Sequence, residues 1–202
     1  MNTDVIIHPK LHHYGLITAN LETMTDWYRK VLGMTVNHHS TGSASEAHRA
    51  PFSAMAFVSN DEADHRIVLF EMPGRSADAD RRRGGPLQHV AFQCESFDDL
   101  LGTYARLKSL NILPLWAADH GVGTAIYYED PERNVVEISV NNYANAWTAT
   151  EHMKTMLPAM VQVDPDKMIS ARKAGASPWE LHERATAGEF APAKPFEARA
   201  RF

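Results

Sequence analysis

Leu11-His12-His13-Tyr14-Gly15-Leu16 and Leu87-Gln88-His89-Val90-Ala91-Phe92 are two copies of one pattern, Leu-x-His-(Tyr/Val)-(Gly/Ala)-(Leu/Phe), and that duplication decides the fold. Self-similarity on this scale marks a repeated supersecondary unit. The match continues past each histidine, where Leu21 answers Phe97 and Tyr28 answers Tyr104 at the same spacing. Leu21, Met24, Tyr28 and Val31 then follow a 3.6-residue period, as do Leu100, Tyr104 and Leu107, so each copy carries a core-facing helix. Gly33 is placed to close the first of them.

After each helix come runs rich in β-branched and aromatic residues, at 34–38, 52–59 and 66–71 in the first copy and 112–116, 124–129 and 134–140 in the second. The repeated unit is therefore β-α-β-β-β. Two such modules, about 9–72 and 86–141, predict an α+β domain over 9–143, an open mixed-sheet barrel built around a pseudo-twofold axis. Segments 40–51 and 73–86, rich in Gly, Ser, Ala and charge, read as loops, the second linking the modules.

Residues 144–202 form a helical C-terminal extension. Met153, Met156, Leu157, Met160 and Val161 share one helical face, with Pro158 set to kink or end that helix. Asp164-Pro165 and Ser177-Pro178 each put a capping side chain before a first-turn proline; Glu180 completes a capping box, and Gly175 and Gly188 follow as stops. An apolar face of this length has to pack on something. The repeats already supply a core of their own, so the extension is expected to cross a neighbouring subunit or cover the mouth of the site, in a homo-oligomer of at least two chains.

The bulk properties narrow the function. Of 202 residues 44% are apolar, and 25 acidic against 20 basic side chains leave a formal charge of −5, which gives no reason to expect nucleic acid or an anionic membrane as a partner. No apolar run approaches the length of a membrane span, and the first ten residues lack the pattern of a secretion signal. Cys94 is the sole cysteine, so neither an intrachain disulfide nor a cysteine zinc site can form, in keeping with a reducing cytoplasm.

Histidine occurs 11 times, and His13 and His89 occupy matching positions of the two repeats. Equivalent strands packed about a twofold can aim both rings into one concavity. Glu137, flanked by Val135, Val136 and Ile138, is a carboxylate that is costly to bury unless it is paired or binds metal. Two imidazoles and one carboxylate with open positions form the facial triad of non-haem Fe(II) oxygenases. His12 is expected on the opposite strand face from His13, as a structural residue, while His38, His39, His48, His152 and His182 carry no partner signal.

The segment from His120 through Ile126-Tyr127-Tyr128-Glu129-Asp130-Pro131-Glu132-Arg133-Asn134-Val135-Val136-Glu137 resembles the signature of the type I extradiol ring-cleaving dioxygenases, within the vicinal oxygen chelate (glyoxalase/bleomycin resistance/dioxygenase) superfamily. Asp64-His65-Arg66-Ile67-Val68-Leu69 is similar to a second segment of that family, with Asp64 where a histidine is usual; Arg133 replaces the usual glycine or proline, and Ala118 is also atypical. The likeness covers about 11–143. It implies Fe(II), with Mn(II) as the alternative ion, held by His13, His89 and Glu137, and an aromatic diol of catechol type and O2 as substrates. His65 is then implied on the oxygen side and His120 with Tyr127 at the substrate oxygen.

Two other readings stay open. In a redox-inert, glyoxalase-like isomerase, epimerase or hydrolase, Glu71 would mirror Glu137 and complete a four-ligand site suited to Zn, Ni or Mn. A non-catalytic ligand-binding relative would lack ligand residues, and none is missing.

Overall fold

The computed structural model describes residues 9–41, 52–76, 87–155 and 160–197. The chain divides into two compact units, 1–77 and 78–202, and each repeat occupies one of them. The first unit runs β1 (Tyr14–Thr18), α1 (Leu21–Leu32), β2 (Thr35–Thr41), β3 (Ala54–Ser59) and β4 (Ile67–Glu71). The second runs β5 (Val90–Gln93), α2 (Phe97–Ser109), β6 (Trp116–Asp119), β7 (Gly123–Glu129) and β8 (Val135–Asn141), followed by α3 (Ala146–Met153), β9 (Val161–Gln162), α4 (Pro165–Lys173) and α5 (Pro178–Thr186).

The β-α-β-β-β unit thus occurs twice in an α+β chain, with a mixed sheet in each copy. In order the sheets read β1-β4-β3-β2 and β5-β8-β7-β6-β9, and neither closes on itself. In both, the first strand lies parallel to the last and the other strand pairs of the repeat are antiparallel. Asn20 and Ser96 cap the two helices, accepting hydrogen bonds from the backbone N–H groups of Thr23 and Asp99. Gly33 ends α1 at φ 67°, in the left-handed region that glycine enters without strain. Leu21, Met24, Tyr28 and Val31 are buried beneath it, and Leu100, Tyr104 and Leu107 are buried beneath α2.

Two expectations fail locally. The strand expected at 112–116 begins instead at Trp116. Asn111 takes a left-handed φ of 59° and the N–H of Ile112 returns to the Leu107 carbonyl, so the chain is still closing off α2. The helix expected through 153–161 stops at Met153, and Val161–Gln162 adds a strand to β6, Asp119 pairing with Val161; Met156, Leu157 and Pro158 lie outside the described residues.

The caps of the extension form as expected. Asp164 accepts from Asp166 N–H, Ser177 and Glu180 complete their capping box, and Gly175 and Gly188 turn at φ 102° and 80°. Its destination differs from expectation. Met168, Leu181 and Phe190 are buried within the second unit, and α4 is tied to α2 by Arg172 on Asp98 (2.7 Å) and Lys108 on Asp166 (2.5 Å). The repeat does absorb α4 and α5, because the single sheet of a β-α-β-β-β unit leaves apolar surface that a further helical layer can cover.

Arg133, in the tight turn after Asp130-Pro131, has φ 68°. Asp130 organises that turn by accepting from the N–H groups of Glu132 (2.9 Å) and Asn134 (2.8 Å). A side chain held in the left-handed region costs about 1 kcal/mol. Arg133→Gly is therefore expected to raise stability by about that amount, less what the contacts of the arginine side chain contribute, the 3.9 Å pair with Glu129 among them, as a higher midpoint in denaturant. An unchanged or lower midpoint would show that the arginine is not strained.

Candidate active site

Parallel pairing of β5 with β8 sets Ala91 opposite Glu137, and antiparallel pairing of β7 with β8 sets Tyr127 opposite Glu137. The next pair across is Trp116 with Tyr127. Residues directly opposite on neighbouring strands share a face, so Glu137, Tyr127 and Trp116 form one row. Tyr128, one residue on, points the other way and is buried. His89 enters immediately before β5, and its Nε2 lies 3.0 Å from Glu137 Oε2, while its Nδ1 contacts the Gln88 side-chain oxygen. The Glu137 side chain is only 13% exposed, so its pairing with an imidazole offsets the desolvation that its apolar neighbours impose.

His120 follows β6, and its Nε2 is 2.8 Å from the Tyr127 hydroxyl. Burial, reinforced by the charge of Glu137 and a hydrogen bond to it, pushes the Tyr127 phenol far above its usual range, so the phenol stays protonated. Burial also lowers His120, against the opposing pull of Glu137 and Asp119, so the ring is neutral at physiological pH. The result is a chain of groups, His120 to Tyr127 to Glu137, in which a neutral imidazole and a phenol can exchange hydrogen bonds with one ligand oxygen. Tyr127 is held in a stacked column: its ring lies 4.2 Å from Trp116, which lies 4.6 Å from Phe196. Phe196 is pinned in turn by reciprocal backbone hydrogen bonds to the Gln162 side chain (2.9 and 2.7 Å).

These groups line a cavity of about 500 Å³ within the second unit. His89, His120, Tyr127 and Glu137 form its polar end, and Val122, Val140, Ala149 and Met153 are among its apolar walls. Helix α3 supplies part of that wall through Ala149, Thr150 and Met153. Few convergent polar groups in an otherwise apolar cleft suit a ligand with a hydrophobic body and one polar edge.

In the first unit His13 and His65 are neighbours, their ring centroids 4.3 Å apart. Asp64 accepts from His65 Nδ1 at 3.1 Å. His12, expected to face away, joins them: its Nδ1 is 2.9 Å from His13 Nδ1. The strand begins only at Tyr14, so the alternation that would separate His12 from His13 does not yet apply. Glu71 is engaged elsewhere, accepting from the Leu21 N–H at 2.8 Å and the Ser53 hydroxyl at 2.9 Å. Nor is it the twin of Glu137. The first-unit residue facing Gly15 as Glu137 faces Ala91 is Val68.

A buried polar network beside the site has no clear signal in the sequence. Asp119 Oδ2 meets His182 Nδ1 (2.8 Å), the Thr124 hydroxyl (2.9 Å) and the Asn142 amide (3.0 Å), and Oδ1 accepts from Gly121 N–H (2.7 Å). Burial alone would raise the Asp119 carboxyl, but the hydrogen bond from His182, then those from Gly121 and Thr124, hold it below the ordinary carboxylate value. A depressed folded-state value means stabilisation that is present above about pH 4 and lost as pH falls through it. Asp119→Ala is expected to lower stability at pH 7 by about 3 kcal/mol, because it strips partners from buried polar groups. Equilibrium unfolding should show the gap between variant and wild type closing below about pH 4; a gap that persists in acid would place the effect in packing instead.

The family model for the Glyoxalase/Bleomycin resistance protein/Dioxygenase superfamily matches residues 10–138. Biphenyl-2,3-diol 1,2-dioxygenase 3 of Rhodococcus globerulus is 33% identical over 188 residues, covering 90% of this chain and 91% of that protein. Biphenyl-2,3-diol 1,2-dioxygenase 2 of the same organism is 31% identical over 191 residues, covering 93% and 94%. Among solved structures, a glyoxylase/bleomycin resistance protein/dioxygenase domain from Frankia sp. EAN1pec aligns with a TM-score of 0.56 at 18% identity, over 69% of this chain and 96% of its own, a likeness of fold. Among the described residues no helix is long and apolar enough to cross a membrane.

Proposed function

The chain belongs to the Glyoxalase/Bleomycin resistance protein/Dioxygenase superfamily, and on that premise we propose that it is an extradiol dioxygenase, inserting both atoms of O2 into a catechol-type diol and opening the ring next to the hydroxyl pair. The observation that carries this reading is the pairing of Glu137 with His89 beside the His120–Tyr127 pair at the polar end of an apolar cavity. Two near full-length relatives whose names specify biphenyl-2,3-diol support an aryl-substituted diol as the substrate class.

His89 and Glu137 would hold Fe(II), with Mn(II) as the alternative ion, and His13, at the matching position of the other repeat, is assigned as the third ligand. The donor set fits: borderline imidazoles and one carboxylate suit either ion. The position equivalent to Glu137 carries Val68, which offers no ligand. Three protein ligands leave coordination positions free for substrate, whereas the isomerase alternative would need the carboxylate of Glu71, already committed to Leu21 and Ser53. When bound, the metal supplies Lewis acidity toward the diol and the one-electron chemistry that dioxygen requires.

The protein groups do the rest. His120, neutral and 2.8 Å from Tyr127, takes the proton of one diol hydroxyl, while the Tyr127 phenol turns its one hydrogen from Glu137 to the oxygen that becomes negative. His65 is assigned to the oxygen side, where Asp64 on its Nδ1 fixes the ring and leaves Nε2 for hydrogen bonding or proton transfer. The apolar walls offer a hydrophobic surface to the ring being opened.

The test is oxygen uptake by anaerobically iron-loaded protein against catechol, biphenyl-2,3-diol and a naphthalene diol, with the ring-opened product followed by its absorbance. Uptake highest with the biphenyl diol is expected. Loaded protein that consumes no oxygen with any diol would return the chain to the isomerase or hydrolase reading.

A further inference from the structure

The three histidines of the first unit form a group that the proposed activity uses only in part. One ring nitrogen from each of His12, His13 and His65 falls within 4.8 Å of the others. Ring centroids are 5.2 Å apart for His12–His13, 5.2 Å for His12–His65 and 4.3 Å for His13–His65. Asp64 reaches two of them at once, with Oδ1 3.2 Å from His12 Nε2 and Oδ2 3.1 Å from His65 Nδ1. A carboxylate that accepts N–H from one nitrogen of an imidazole leaves the lone pair on the other. Asp64 thereby presets His12 Nδ1 and His65 Nε2 as donors, in the carboxylate–histidine arrangement found behind metal-binding imidazoles.

The backbone is preset as well. Arg66 Nη1 donates to the His12 carbonyl at 3.0 Å and the Tyr14 N–H donates to the Arg66 carbonyl at 3.2 Å, which ties the segment bearing His12 and His13 to the one bearing Asp64 and His65. His12 Nδ1 and His13 Nδ1 already stand 2.9 Å apart, so little movement is needed for both to face one ion.

We infer that His12, His13 and His65, oriented by Asp64, form a second cation site that takes a borderline divalent ion, Zn(II) above all, through three imidazole nitrogens with at least one position open. Its carboxylate stands behind the ligands, which separates it from the set containing Glu137. The two sets share His13, so an ion here withdraws that ligand and excess zinc inhibits turnover. That consequence rests on the assignment of His13 made above; the cation site itself does not.

The experiment is calorimetric titration of metal-free, full-length protein with Zn(II) in a Glu137→Gln background, which removes the carboxylate of the other set. One zinc per chain is expected to bind. Adding His12→Asn should weaken binding by more than the 10- to 100-fold that loss of an outer-shell partner costs, and adding Asp64→Asn should weaken it within that range. Both residues are exposed, so circular dichroism should show the parent fold in each variant. Absence of zinc binding in the Glu137→Gln background, or affinity unchanged by His12→Asn, overturns the site. Oxygen uptake by the iron-loaded wild type separately reads whether the dioxygenase assignment stands.

Discussion

Glu137→Gln is expected to lose iron and oxygen uptake together while keeping the fold. A facial set has three protein ligands, so the two imidazoles cannot make up for the missing carboxylate, and the loss in metal affinity should exceed the 10- to 100-fold typical of outer-shell changes. The stability readout separates this from unfolding. Without metal, Glu137 is a carboxylate between Val136 and Ile138, its desolvation offset by the 3.0 Å contact with His89 and by the hydrogen bond from Tyr127. Exchanging it for a neutral amide of the same shape removes that desolvation cost, so metal-free Glu137→Gln should melt no lower than metal-free wild type. Equilibrium dialysis with Fe(II) and thermal melts of both metal-free proteins check the two halves. His89→Ala and His13→Ala are expected to lose iron in the same way. Iron content at the wild-type level in Glu137→Gln would remove the carboxylate from the ligand set and with it the proposed chemistry.

How much of this was legible beforehand depends on the range of the interaction concerned. The duplication is a property of the chain alone, and two repeats with the same periodicities had to give the same β-α-β-β-β unit. The side on which Tyr127 lies, away from Tyr128 and in one row with Glu137, follows from strand alternation once β7 is known to pair with β8. Alternation fails for His12 because the strand starts only two residues later, at Tyr14. Glu71 resembled a twin of Glu137 by its place near the end of an apolar run, but register counts from the pairing partner, and Val68 holds the equivalent place. His182 lies far from Asp119 along the chain, in a helix whose docking no periodicity encodes, so a buried pair at 2.8 Å was invisible. Two-residue β9 has no pattern to read at all; its pairing with β6 is created by the tertiary structure.

His120→Ala is expected to keep metal and lose turnover by about 10²- to 10⁴-fold, the range for removing a positioned acid–base group. The ring is lowered by burial and so is neutral at physiological pH, which means that it can accept the diol proton without first shedding one of its own. Burial lets the base form persist to lower pH than in an exposed histidine, so the acid limb of kcat/KM assigned to this group should lie lower than for an exposed histidine and should vanish in His120→Ala. Tyr127 cannot replace it, because a phenol raised far above its usual value cannot accept a proton from the diol while it holds its own. Tyr127→Phe is therefore expected to cost less than His120→Ala and to leave the acid limb in place, since only a donated hydrogen bond is removed. Iron content, kcat and the pH profile of both variants test the division of labour. Equal losses with the acid limb retained in both would mean that the pair only shapes the cavity, and the proton would have to leave by a group outside the His120–Tyr127 pair.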